Sequence, residues 1–231
     1  MGGDQLKDII VHKQPKSPVS EAYRGIRTNI SFDNVDKSFK SILVTSPKEG
    51  EGKTTTLCNL AMTFALSGNK VIVVDTDLRR PKLHKLLEIS NKNGLTDILL
   101  KGDDYRKYVN SSVHPNLDLI TSGTIPDNPS EILGSDAVKR LVEQLKKDYD
   151  YVFLDTPPVV PVNDAVIMST YIDRVILVLA SGEVEKEVAV EAVRDLQKVG
   201  AKILGTVLNK VPINKQKYNY YYYYSNELGD K

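Results

Sequence analysis

The sequence predicts an α/β protein whose mostly parallel central sheet is covered by helices on both faces. Short apolar runs alternate with stretches of helical periodicity, as in βαβ units. A glycine loop follows the first apolar run, and acidic residues follow two later ones. The length of 231 residues suits one such domain with short appendages.

The first predicted helix occupies residues 17–32. Ser17 is placed as its N-cap and Pro18 as its first helical residue. Apolar residues then recur with helical spacing at Val19, Ala22, Tyr23, Ile26 and Ile30. Residues 1–16, which are polar and mixed, are expected to form an extended arm.

Strands and helices alternate over the rest of the predicted domain, residues 17–213. Apolar runs predict strands at 42–44, 71–74, 117–120, 152–154, 175–179 and 203–208. Helical periodicity predicts helices at 54–66, 138–145 and 189–196. The periodicity ends near residue 212, so residues 214–231 are expected to form a flexible tail.

Composition excludes several classes of protein. Lysine and arginine number 31 against 30 acidic residues, so bulk charge does not favour a nucleic-acid partner. No apolar run approaches the roughly 18 residues of a membrane span, and no signal peptide is evident. A single cysteine, Cys58, excludes an internal disulfide. We therefore expect a cytoplasmic protein.

A glycine-containing loop joins the first strand to the next helix. Such a loop directs backbone N–H groups and the positive end of the helix dipole at phosphate. Lys53 would reach the β- and γ-phosphates, and the Thr54 hydroxyl would bind Mg²⁺. Pro47 stands where the usual G-x-x-x-x-G-K-[ST] pattern begins with glycine. The alternative is a glycine turn that merely precedes a helix.

Carboxylates follow two strands that are predicted to be parallel. Asp75 and Asp77 follow the run at 71–74, and Asp155 follows the run at 152–154. Carboxyl ends of parallel strands converge on the ligand crevice of an open α/β sheet. An isolated aspartate in such a place is usually a turn or cap residue, but their convergence favours a cation site beside the phosphates.

These residues resemble the deviant-Walker P-loop ATPases, the group of division-site placement and plasmid-partition ATPases. Lys48 occupies the position of that group's additional signature lysine. The run Asp75-x-Asp77-x-Arg79 resembles the Walker A′ element of bacterial tyrosine kinases, and Asp155-x-Pro157-Pro158 resembles their Walker B element.

The resemblance implies ATP and Mg²⁺ as cofactors. Lys53 is expected to be catalytic, with Asp77 as the first candidate for the general base and Asp75 as the second. The expected Mg²⁺ ligands are Thr54, Asp75, Asp77 and Asp155. The expected nucleotide-binding residues are Lys48, Glu49, Gly50, Glu51, Gly52, Lys53, Thr54 and Thr55, with Asn209 at the adenine.

Glu21, Arg24 and Arg27 lie on the flank and back of the first helix, away from its apolar residues. They match the E-x-x-R-x-x-R element with which such kinases assemble rings, and arginine gives bidentate contacts to carboxylates. The alternative is a solvated face with pairs inside the helix. We expect a homo-oligomeric ring.

The tail concentrates tyrosine. Six of the twelve tyrosines lie within seven positions, at Tyr218, Tyr220, Tyr221, Tyr222, Tyr223 and Tyr224. Five in a row cannot form one amphipathic face, so helix or strand packing does not explain them. An aromatic recognition patch is one alternative. The resemblance instead implies phosphoacceptors modified between subunits, each phosphate adding roughly −1.5 to −2 charges.

The resemblance also implies partners and a biological role. We expect control of capsular or extracellular polysaccharide synthesis, a transmembrane activator of the polysaccharide co-polymerase type, and peripheral association with the membrane through it. Other protein tyrosine substrates and a cognate tyrosine phosphatase are expected as well. The alternatives are a partition-type ATPase switch without kinase activity and a non-catalytic adaptor that binds ATP structurally.

Overall fold

A seven-stranded sheet forms the centre of the protein, for which a computed structural model describes residues 9–212. The strand order across the sheet is β3-β4-β2-β5-β1-β6-β7, and every neighbouring pair is parallel except β3 with β4. The strands are β1 (Ser41–Thr45), β2 (Val71–Asp75), β3 (Asn110–His114), β4 (Leu117–Ile120), β5 (Tyr151–Asp155), β6 (Arg174–Ala180) and β7 (Ile203–Asn209).

Helices connect the strands and cover both faces of the sheet. They are α1 (Ile10–Lys13), α2 (Pro18–Asp33), α3 (Lys53–Leu66), α4 (Leu83–Leu86), α5 (Leu95–Lys101), α6 (Pro129–Gly134), α7 (Asp136–Asp148), α8 (Asp164–Ser169) and α9 (Lys186–Lys198), with a 3₁₀ turn at Tyr105–Tyr108. Over residues 9–212, no helix combines the length and the apolar character that crossing a membrane requires.

Each face of the sheet has its own apolar core. Along β1, Ile42 and Val44 pack with α2 and α3, whereas Leu43 packs with α7, α8 and α9 on the opposite face. Successive side chains of a strand point to opposite faces, so a strand covered on both sides must be apolar throughout. This requirement explains why the central strands appear in the sequence as continuous apolar runs.

The burial of Cys58 confirms that it is a core residue. It lies on α3 and is 3% exposed. Burial raises the pKa of its thiol well above the ordinary value, and the nearby charges of Asp155 and Asp75 act in the same direction. The thiol therefore stays protonated and out of contact with solvent.

All six predicted strands and the four predicted helices are confirmed. The sequence interpretation missed β3, which is short, polar and antiparallel at the sheet edge. It also missed several short helices. The extended arm expected over residues 1–16 is wrong for residues 9–13: Ile9 and Val11 are buried, and the Val11 N–H donates to Asn59 Oδ1 at 3.1 Å.

Helix α2 begins as predicted, because the Ser17 side chain accepts a hydrogen bond from the Ser20 N–H and Pro18 follows it. Its apolar face is only partly covered: Tyr23 and Ile30 are buried, whereas Val19 is 37% exposed. The uncovered part lies beside the end of β7 and forms a shallow apolar groove there. The predicted tail with its tyrosines, residues 214–231, lies outside the described residues.

Asp173 holds together the strand ends opposite the glycine loop. Its Oδ2 accepts hydrogen bonds from the N–H groups of Lys40 and Ser41, both at 2.9 Å, and Lys146 Nζ lies 2.9 Å from Oδ1. Burial acts to raise the pKa of this carboxyl. The hydrogen bonds from Ser41, Lys40 and Lys146 outweigh burial and hold the pKa below its usual range.

We expect Asp173→Asn to lower the free energy of unfolding by about 1–3 kcal/mol at neutral pH, since hydrogen bonds to a charged acceptor are lost. The pKa of Asp173 is lower in the folded than in the unfolded protein, where it is about 4. The stabilisation that the ionised carboxylate provides is therefore complete above pH 4 or so, and it is lost as the pH falls through the folded-state pKa. Urea unfolding of both proteins over that range measures the difference. A difference that does not shrink at acidic pH would contradict this account.

Candidate active site

Two glycines shape the loop between β1 and α3. Gly50 and Gly52 have φ angles of 82° and 85°, in the left-handed region that favours glycine. Gly52 is also the N-cap of α3, and a Cβ placed there would lie 2.2 Å from Asn209 Nδ2. The backbone conformation therefore favours glycine at position 52, and a larger residue would also have to displace the Asn209 side chain.

Glu51 fastens this loop to the sheet. Its side chain is buried, and the two carboxylate oxygens accept hydrogen bonds from the Lys48 N–H at 2.7 Å and the Ala180 N–H at 2.8 Å. The Glu51 carbonyl accepts a third bond from Asn209 Nδ2 at 2.9 Å. The loop is thus attached to the ends of β6 and β7.

Lys53 and Thr54 begin α3 beside two of the predicted carboxylates. Lys53 Nζ donates to Asp77 Oδ2 at 3.2 Å and lies 4.0 Å from Asp155 Oδ1. The Thr54 hydroxyl donates to Asp155 Oδ2 at 2.6 Å. Burial acts to lower the pKa of Lys53, but the charges of Asp155 and Asp77 outweigh it and raise the pKa. The lysine therefore carries a positive charge in the site.

Asp75 and Asp155 lie opposite each other on the neighbouring strands β2 and β5. Burial and the charge of Asp155 raise the pKa of Asp75 well above its usual range, although hydrogen bonds from the N–H groups of Leu83 and Asp77 act against this. Burial likewise raises the pKa of Asp155, against the opposing effect of Lys53. The two carboxyls compete for the same positive charge.

An open cleft borders the loop, and of the three aspartates predicted as base or metal ligands, Asp77 lines it. Asp75 and Asp155 are buried behind it. Charged side chains and three prolines line it. The lining residues are Glu49, Gly50, Lys53, Asp77, Arg79, Arg80, Lys82, Pro157, Pro158, Pro161 and Val162.

The other predicted nucleotide-binding residues take different positions. Lys48 is partly exposed, and its Nζ lies 3.1 Å from Glu185 Oε2 at the N-cap of α9. Thr55 is exposed on α3. Asn209 ends β7 and contacts the loop, as described above. The Glu51 side chain points to β6 and does not line the cleft.

The sequence interpretation missed the partners of the basic residues near the cleft. Arg79 donates to both carboxylate oxygens of buried Asp164, at 2.7 and 3.0 Å, and to Ser130 Oγ at 2.9 Å. Arg80 contacts both carboxylate oxygens of Glu49. Asp164 is far from Arg79 in the sequence and begins a short helix, so it resembles an ordinary helix-capping residue.

The residues around Thr54 and Asp155 fit a divalent cation. Asp155 Oδ1 is buried and has no hydrogen-bond partner, and the adjacent Thr54 hydroxyl would offer a second oxygen to such an ion. No group of three or more His, Cys, Asp or Glu residues between positions 9 and 212 is arranged to hold a metal by itself.

A left-handed glycine loop, a lysine and threonine at the helix start and buried aspartates at the neighbouring strand ends define a P-loop nucleotide-binding protein. The family model described as an AAA domain matches residues 39–211. The chain is 42% identical to the tyrosine-protein kinase YwqD of Bacillus subtilis, over 95% of this chain and 93% of YwqD.

Two further proteins are similar to this chain. The tyrosine-protein kinase CpsD of Streptococcus pneumoniae is 38% identical, over 89% of this chain and 90% of CpsD. The crystal structure of the chimerical protein CapA2B2 superposes with a TM-score of 0.85 and 41% identity, covering 89% of this chain and 91% of the chimera. The chain belongs to the bacterial tyrosine kinases.

We expect Gly52→Ala to weaken nucleotide binding by roughly tenfold or more, because a left-handed conformation costs a non-glycine residue roughly 1–2 kcal/mol and the new Cβ would displace Asn209. Isothermal titration with MgADP measures this. Gly205→Ala is the matched control, since Gly205 has open space around its Cβ position and no positive φ. Equal affinities for Gly52→Ala and the control would contradict the preference for glycine.

Proposed function

We propose that this chain transfers the γ-phosphoryl group of Mg-ATP to tyrosines of the cluster at 218–224 in a neighbouring copy. Through this reaction it regulates capsular or extracellular polysaccharide synthesis. The observation that carries the proposal is the position of Asp77, a carboxylate that lines an open cleft while hydrogen-bonded to the phosphate-loop lysine. A protein that only hydrolysed ATP would have no need of the adjoining tyrosine-rich tail.

The reaction needs a base for the phenolic proton. Tyrosine has an ordinary pKa near 10, so its hydroxyl must lose a proton as it attacks phosphorus. The new bond joins the tyrosyl oxygen to the γ-phosphorus, and the bond to the bridging oxygen of ADP breaks. Asp77 accepts the proton, and the prolines that line the cleft offer apolar surface to the aromatic ring.

Lys53 supplies positive charge where negative charge gathers on the phosphoryl group. It is paired with Asp77 in this structure, so it must turn toward the phosphates when nucleotide binds. Thr54 and Asp155 would hold Mg²⁺, directly or through water, and the ion would neutralise charge on the transferred group.

Asp75 is the weaker candidate for the base. Its two oxygens already accept hydrogen bonds from the N–H groups of Asp77 and Leu83, at 3.2 and 3.1 Å, and it is fully buried. These contacts support a structural role in shaping the chain between β2 and α4. Its share in the metal site is then indirect.

The last strand before the tail, β7, ends at the same edge of the sheet as β2. Residue 209 ends β7 and residue 75 ends β2, so both lie at the carboxyl edge, and four strand spacings amount to roughly 19 Å. Tyr218 follows Pro212 by six residues, a reach of roughly 20 Å when extended. Chain length therefore allows modification within one chain as well as between copies.

The residues proposed for ring assembly differ in availability. Glu21 and Arg24 form an ion pair near the surface, and Arg24 also donates to the carbonyl of Pro15. Arg27 instead donates to the carbonyl of Thr63 on α3, at 3.0 Å. Glu21 and Arg24 are therefore the stronger candidates for contacts with a neighbouring copy.

We further propose that a transmembrane protein of the polysaccharide co-polymerase type activates the kinase and brings it to the membrane, and that a tyrosine phosphatase reverses the modification. These proposals rest on membership of the family. Co-purification with a membrane fraction that contains such a protein, compared with one that lacks it, tests the first.

We expect Asp77→Asn to lower the phosphorylation rate of the tail by about 10²- to 10⁴-fold, because the base is lost while the acceptor for the Arg80 N–H is kept. Mass spectrometry of the tail after incubation with Mg-ATP measures the rate. Asp104→Asn is the matched control, since Asp104 also accepts a backbone N–H but lies outside the cleft. A rate for Asp77→Asn close to that of the control would reject Asp77 as the base.

Lys53→Met should reduce the same rate of tail phosphorylation by about 10²- to 10³-fold.

A mixing experiment then distinguishes transfer between copies from transfer within one chain. Lys53→Met with an intact tail is incubated with a second variant that keeps Lys53 but has phenylalanine in place of every cluster tyrosine. Phosphate on the Lys53→Met tail supports transfer between copies. An unmodified tail in the mixture, when wild type is modified, indicates transfer within one chain; steady ATP hydrolysis without any tail phosphate in wild type would favour the partition-type switch.

A further inference from the structure

We propose that Glu51 is a positioning residue that holds the phosphate loop ready for nucleotide before nucleotide arrives. The expected effect of Glu51 on phosphotransfer rests on the proposed function. Its expected effect on nucleotide binding does not. The Glu51 side chain does not line the cleft, and both of its oxygens bond to main-chain N–H groups instead. Its role is to join the loop to the end of β6.

Both oxygens of the Glu51 carboxylate act as acceptors. One receives the Lys48 N–H at 2.7 Å, and the other receives the Ala180 N–H at 2.8 Å. The residue is 3% exposed, so water does not replace these bonds readily. One donor belongs to the loop and the other to the last residue of β6, so the carboxylate fixes the distance between them.

The two contacts require a carboxylate. Glutamine has the same length and shape but only one acceptor oxygen, so its NH₂ group would face one of the two N–H donors. Alanine would remove the acceptor of both N–H groups, of which that of Ala180 is buried. Aspartate is shorter by one methylene group and cannot span the same two donors in this backbone.

Two neighbouring contacts act on the same loop. Asn209 Nδ2 donates to the Glu51 carbonyl from the end of β7, and Lys48 Nζ pairs with Glu185 beyond the end of β6. The loop that follows β1 is thus held to both strands on one side of it. Such prior ordering reduces the conformational entropy that binding must otherwise overcome.

The charge of Glu51 makes the proposal easy to test. A carboxylate within a phosphate-binding loop repels an anionic ligand, so simple electrostatics predicts that Glu51→Gln binds ATP more tightly. A positioning role predicts weaker binding, because the glutamine side chain loses one of the two N–H contacts that hold the loop. The sign of the change in affinity therefore distinguishes the two accounts.

The experiment measures MgADP affinity by isothermal titration, together with KM for ATP, kcat for tail phosphorylation and thermal stability. We expect Glu51→Gln to weaken MgADP binding by about tenfold or more and to raise KM for ATP to a similar degree. The matched control is Asp173→Asn, which removes a carboxylate that accepts two backbone N–H groups at the opposite ends of the strands. It should lose stability while keeping its affinity for MgADP.

Unchanged or tighter binding in Glu51→Gln would overturn the proposal, as would an equal loss in Asp173→Asn. If Glu51→Gln does not fold, hydrogen exchange of the nucleotide-free wild type decides: slow exchange at the Lys48 and Ala180 amides is expected, and fast exchange at either overturns the proposal. Weaker MgADP binding in the variant together with an unmodified wild-type tail would reject the proposed kinase reaction and leave this inference standing.

Discussion

The site depends on two carboxylates that the sheet forces together. Asp75 and Asp155 face each other at the ends of adjacent parallel strands, and neither is exposed to solvent. Two buried negative charges on adjacent strands are unfavourable unless protons, cations or N–H donors compensate them. The hydroxyl of Thr54, the ammonium of Lys53 and the N–H groups that reach Asp75 all serve this purpose. The start of α3 and the turn after β2 are therefore shaped around the same electrostatic requirement.

The acidic residues differ in the hydrogen-bond donors that they accept. Asp75 receives backbone N–H groups and shapes the chain, Asp155 receives a hydroxyl and keeps one oxygen free, and Asp77 receives the lysine at the open cleft. Glu51 and Asp173 follow the first pattern at opposite ends of the sheet. Asp75, Glu51 and Asp173 thus hold main-chain segments in place. Asp77 also accepts the Arg80 N–H, but it differs from them in lining the open cleft beside the phosphate-loop lysine.

The central strands could be predicted because burial on both faces makes them apolar throughout. The edge strand β3 could not, since its sequence at Asn110–His114 is largely polar and only one neighbour pairs with it. The convergence of Lys53 with Asp77 and Asp155 followed from strand ends and loop pattern alone. The pairing of Arg79 with Asp164 did not, because no local pattern links residues that separate strands bring together. Likewise, the loop sequence does not indicate that the Glu51 side chain points away from the nucleotide side.

The buried Cys58 has a practical consequence for studying this protein. It is the only cysteine in the sequence, it is buried in the apolar core, and its thiol is held in the protonated form that reacts poorly with maleimides. A cysteine introduced at the surface would therefore be the sole reactive thiol of the native chain. Fluorophores or spin labels could be attached at one chosen position without first removing a native residue from beside the phosphate loop.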